Sequence, residues 1–197
     1  MQYYSVIAGN FQDTIEAMAM SVDSLAVPVE DASALIADCL LNDHKVLACG
    51  NGADAALAQL FACSLLGQHE RDRPALPAIA LSTNGANLSA IGLNSGINDI
   101  YSRQLRALGQ AGDVLLCISS AEGDTSLLRA IQAARDRNMI VLALSNTRNK
   151  EMGALLGNGD VQMSIEAPRP ARVREIQTAI LHCICDLVDR RLFGNQE

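Results

Sequence analysis

Two short polar stretches hold the residues best suited to handling a ligand. Gly50-Asn51-Gly52-Ala53-Asp54 follows the apolar run Val46 to Cys49, and Ser119-Ser120-Ala121-Glu122-Gly123-Asp124 follows the apolar run Val114 to Ile118. Neither apolar run alternates, which predicts strands buried on both faces, and each polar stretch leads into a helix. In a parallel sheet the turns after neighbouring strands face the same end, so the two stretches would line one crevice. A nucleotide loop is set aside: the dinucleotide fingerprint wants a third glycine where Ala55 stands, and no Gly-Lys-Ser/Thr follows.

The rest of the chain supplies the elements that must position those loops. Tyr4, Ile7, Phe11, Ile15, Met18, Val22 and Leu25 recur every three or four residues and predict a helix over 3–26 with one apolar seam, which packs on its own domain or is shared between subunits. Pro28 is expected to end it, with a second helix from Val29 to Asn42. Breaks at 68–73, Pro74 and Pro77 precede a strand at 78–81; helices follow over 86–93 and on to Leu108. A third strand covers 114–118, Asp124 is the candidate cap of a helix from Thr125 to Arg137, and further strands cover 139–144 and 161–165. A long helix over 171–192 closes the chain. The fold class expected is α/β, a doubly wound, mostly parallel five-stranded sheet flanked by helices. A helical N-terminal extension (1–28) would serve oligomerisation, and residues 29–197 would form the main domain.

The chain is 49% hydrophobic but only 3% aromatic, so Leu, Ile, Val and Ala must fill one core. A net charge of -7 argues against direct nucleic-acid binding. No apolar run approaches the ~20 residues of a membrane span, and the N-terminus lacks a basic segment followed by an apolar one, so a soluble, cytoplasmic protein without membrane contact is expected. Cys39, Cys49, Cys63, Cys117, Cys183 and Cys185 sit in apolar stretches and read as reduced core thiols. His44 and His69 lie in polar stretches and read as solvated.

Cys-Gly-Asn-Gly with Ala-Gln-x-Phe-Ala at 58–62, Arg-Pro-x-Leu-Pro-Ala-Ile-Ala-Leu at 73–81, Asp113-Val114-Leu115-Leu116 with Ile118-Ser119, and Asp186-Leu187 resemble the sugar isomerase (SIS) domain family over nearly the whole chain. Its phosphoheptose isomerases and the DnaA initiator-associating protein are the groups most similar. The resemblance implies a flavodoxin-like parallel sheet, a homotetramer (a dimer at least) and a crevice for a sugar phosphate. It also implies that hydroxyls and amides of the two loops grip the phosphate at helix N-termini.

Position by position, the resemblance puts Ser64 in place of the isomerases' glutamate, Leu60 in place of a histidine, Arg174 in place of a glutamine and Gln68 in place of an arginine. Only His182 keeps its type, with Asn98 and Asp99. The implied crevice comprises Gly50, Asn51, Gly52, Asp54, Asp99, Ser119, Ser120, Glu122, Asp124, Arg174 and His182. Asp54, Glu122 and Asp124 stand where a dianion would sit, and crowded like charges cost on the order of several kcal/mol in a partly desolvated crevice. Arg174 would either pair with one of these acids or stay exposed among Arg169 and Arg172. One histidine cannot be both acid and base, and one imidazole is no zinc site, so no cofactor is expected; zinc would enter only with an isomerase. The expectation is a non-catalytic regulator similar to the DnaA initiator-associating protein, leaning away from an enzyme, with Leu192 and Phe193 as an apolar tip that anchors a partner or tucks onto its own assembly. The alternative is a phosphoheptose isomerase converting sedoheptulose 7-phosphate to D-glycero-D-manno-heptose 7-phosphate for surface polysaccharide.

Overall fold

Five strands hydrogen-bond in the order β2 (Ala78–Ala80), β1 (Val46–Gly50), β3 (Val114–Ile118), β4 (Ile140–Asn146), β5 (Val161–Ile165), all parallel. The computed structural model describes residues 2–195. Val46, Ala48, Val114, Leu116 and Ile118 face one core cluster, while Leu47, Cys49, Leu115 and Cys117 face another, which is why these strands are apolar at every position. The first layer is covered by α1 (Tyr4–Leu41), α2 (Ala53–Leu66) and α7 (Pro170–Phe193). The second holds α3 (Gly85–Ser95), a 3-10 turn at Ile97–Asp99, α4 (Ser102–Leu108), α5 (Thr125–Asp136) and the short α6 (Lys150–Ala154). Among the described residues no helix is long and apolar enough to cross a membrane.

The expected break at Pro28 does not occur: α1 runs without interruption from Tyr4 to Leu41 with Pro28 inside it. The reason is the buried stripe Leu25, Val29, Ala32, Ile36 and Cys39, which continues across the proline in steps of three and four. Tertiary packing along that stripe outweighs the hydrogen bond that proline removes. The seam towards the N-terminus has no such cover, and Tyr4, Ile7, Phe11, Ile15 and Val22 are all exposed.

The motif residues at 73 and 113 are structural. Arg73 Nε lies 2.7 Å from Asp189 Oδ1 with both side chains buried, and its terminal nitrogens donate to the carbonyls of Ser64, Leu65 and Pro74. Asp113, fully buried, accepts from Lys45 Nζ (2.6 Å), Lys45 N (3.0 Å) and Gln110 N (2.8 Å), locking the starts of β1 and β3 together. His44 is half-buried beside Asp113 rather than simply solvated. Two cysteines also depart from expectation: Cys63 and Cys183 are exposed, on outward positions of α2 and α7.

Candidate functional site

The turn after β1 is shaped by two glycines. A Cβ on Gly50 would lie 2.6 Å from the Asp54 carbonyl oxygen and 3.0 Å from that of Ile118, and Gly52 takes φ +57°. Tyr101, buried on the far side of the sheet, donates its hydroxyl to the Gly50 carbonyl, and burial pushes its phenol above the usual range. The turn is thereby held from beneath and delivers Asp54 into the first turn of α2.

Asp54 is only 6% exposed, and both of its carboxylate oxygens accept from protein groups. Its Oδ2 accepts from Ser120 N (2.7 Å) and Ser120 Oγ (3.0 Å), and its Oδ1 accepts from Arg174 Nε (3.1 Å). Of the two expectations for Arg174, the ion pair is the one realised. Arg174 Nε also lies 3.2 Å from Ser120 Oγ, the arginine side chain remains 37% exposed, and its terminal nitrogens have no partner among the described residues.

The other two acids are also engaged. Both Asp124 oxygens accept from Asn51 Nδ2 at 2.7 Å, and Ser126 Oγ donates to Oδ1 at 2.9 Å, so this carboxylate ties the two loops together. It makes no side-chain cap to α5, contrary to expectation. Glu122 is exposed and lies 3.5 Å from Arg148 Nε. Asp99 sits apart on the 3-10 turn, accepting from Ser102 Oγ and Arg129 Nη1, which in that order hold its carboxyl below the ordinary value.

The second loop rests on residues the sequence did not single out. Asn146 Nδ2 donates to the Ser120 carbonyl (3.0 Å), Asn149 Nδ2 to that of Ala121 (2.9 Å), and buried Gln177 Nε2 to that of Ser119 (3.1 Å). Asn146 was legible only as the polar end of a strand. Gln177 carries no local signal, because its role is to fill the gap between α7 and the end of β4.

His182 is not in this crevice. It lies eight residues beyond Arg174 on α7, about 12 Å along the axis, exposed rather than packed in a core. His69 lies against it, ring centroids 5.3 Å apart at 38°, so the expectation of a merely solvated His69 is corrected. Ser64 Oγ donates to the Leu60 carbonyl at 3.0 Å. With leucine, serine and arginine at the positions the resemblance associates with zinc, the donor set does not fit that metal; among the described residues no group of three His, Cys, Asp or Glu side chains could hold one. Leu192 and Phe193 are partly buried against the core, with Arg71 stacked 5.7 Å over the Phe193 ring, so this tip tucks onto its own chain.

The profile of the SIS domain matches residues 10–146. The chain is 41% identical to the phosphoheptose isomerase of Chromohalobacter salexigens, over 100% of both chains. It superposes on the phosphoheptose isomerase of Neisseria gonorrhoeae with TM-score 0.89 and 38% identity, covering 94% of this chain and 97% of that one. For the Francisella tularensis phosphoheptose isomerase the TM-score is 0.91 at 32% identity, covering 96% and 100%. These full-length relatives overturn the expectation of a non-catalytic regulator of replication initiation and favour the isomerase alternative. The physical premise behind that expectation fails with it: the three carboxylates are tied to Arg174, Ser120, Asn51, Ser126 and Arg148 instead of standing free against an anion. The chain belongs to the SIS domain family and resembles its phosphoheptose isomerases along its whole length.

Proposed function

We propose that the protein is a phosphoheptose isomerase, interconverting sedoheptulose 7-phosphate and D-glycero-D-manno-heptose 7-phosphate. The observation that carries the proposal is the 41% identity to a phosphoheptose isomerase over the full length of both chains. The crevice supports it. Asp54 fixes Arg174 through Nε alone, which leaves the terminal edge of the guanidinium to take a phosphate in a fork, the geometry in which arginine binds such oxyanions best. A guanidinium thus takes over from hydroxyls that the isomerases carry in the same loops. The reaction moves one proton between adjacent carbons and one between their oxygens, which needs an acid and a base beside the open-chain sugar. Without a zinc-binding donor set, both duties fall to side chains.

The exposed apolar stripe of α1, Tyr4, Ile7, Phe11 and Ile15, fits an assembly of identical subunits, a homotetramer in this proposal, with residues 1–28 as its oligomerisation element. A reducing cytoplasmic setting suits six unpaired thiols, two of them exposed. Incubating the purified protein with sedoheptulose 7-phosphate and following the sugar by NMR tests the proposal; turnover at enzymatic rates is expected, and recovery of the ketose alone would remove it.

A further inference from the structure

Isomerisation needs two proton-handling groups, and of the two that the resemblance implies only His182 keeps its type, since Ser64 stands where the isomerases have their glutamate. The structure supplies a second group from outside the motif. His69, in the segment that follows the end of α2 at Gly67, brings its imidazole to 5.3 Å from that of His182, centroid to centroid. The rings are tilted by 38° instead of stacked flat, and neither is shut into the core. Arg174, Thr178 and His182 follow one another at four-residue steps on α7, so the arginine and the histidine pair share one broad helix face, about 12 Å apart along it. A seven-carbon sugar carrying phosphate on its last carbon has its reacting first and second carbons at the opposite end of an extended chain. A guanidinium at one end and two imidazoles at the other suit such a molecule.

We propose that His69 is the second proton-transfer residue, working with His182 in place of the absent glutamate. The inference rests on the isomerase proposal. One imidazole, neutral, takes a proton from C1 of the ketose; the C1–C2 double bond forms and the carbonyl electrons move to O2. The other, protonated, gives its proton to O2, which yields the enediol. The second ring then takes the O1 proton, the carbonyl forms at C1, and the first ring returns its proton to C2. Each ring ends as it began, and no oxidant or co-reactant is consumed. The state with one ring neutral and one protonated also avoids two facing like charges.

The experiment compares the wild type with His69→Ala, each with and without free imidazole in the buffer, on sedoheptulose 7-phosphate. The expected result is a fall of about 10²-fold or more in turnover for the variant, the scale of a lost general acid or base, with partial recovery on adding imidazole, which replaces a missing proton carrier but repairs no packing. An active wild type with His69→Ala within threefold of it overturns the inference and leaves the isomerase proposal standing. A fall that imidazole does not relieve also overturns it, because it reports structure rather than proton transfer. An inactive wild type ends both.

Discussion

Asp54 and Arg174 set the electrostatics of the crevice as a pair. A buried carboxylate with three hydrogen bonds is an anchor for the guanidinium, and the terminal nitrogens, without a partner among the described residues, are in the proposed function the cation offered to a ligand. Arg174→Gln, which restores the isomerases' residue type without the loop hydroxyls, is expected to raise the KM for the sugar phosphate by tenfold or more, about 1.4 kcal/mol, with kcat changing less, in steady-state kinetics. An unchanged KM would remove the arginine from ligand binding. The pair was legible in the sequence as one of two alternatives, because the resemblance puts other residue types both at the acids of the two loops and at Arg174 on the helix. The satisfaction of Asp124 by Asn51 and Ser126, and of Glu122 by Arg148, was not, since it depends on which side chains meet once the loops are folded. For that reason charge counting alone predicted repulsion. His69 was hidden differently: a histidine in the polar run 68–73 has no local mark of the α7 neighbour it meets.

At the scale of elements, the parallel strands were readable because burial on both faces leaves no alternation, and their bounds fall close to the runs from which they were predicted. The helix break at Pro28 was misjudged because proline's local cost is visible in sequence while the compensating stripe from Leu25 to Cys39 becomes decisive only against β5 and α7. Arg73 and Asp189 join the connection after α2 to the end of α7 through a dry ion pair whose arginine also satisfies backbone carbonyls. Asp189→Ala leaves a buried guanidinium uncompensated and is expected to cost about 3–5 kcal/mol in urea unfolding. A loss below about 1 kcal/mol, typical of exposed pairs, would show that water reaches the site.

At the scale of the whole molecule, one chain exposes Phe11 (68%) and Ile15 (60%) on the same stripe of α1, apolar area that a second copy would bury. Phe11→Glu with Ile15→Glu is expected to shift the protein to smaller species in sedimentation velocity, and an unchanged profile would place the subunit contact elsewhere. Within one chain the His69–His182 pair and the Arg174 edge are joined along α7, and Asp54 and His69 are joined along α2.

The proposed activity is a proton transfer on a phosphorylated heptose. The reaction run in deuterium oxide with sedoheptulose 7-phosphate and followed by proton NMR tests it most directly. The expected product is an aldoheptose 7-phosphate formed at enzymatic rates, with solvent deuterium at C2 in those turnovers in which the ring-held proton exchanges with solvent before it is returned. A ketose recovered unchanged and without deuterium at C1 would contradict the proposed activity.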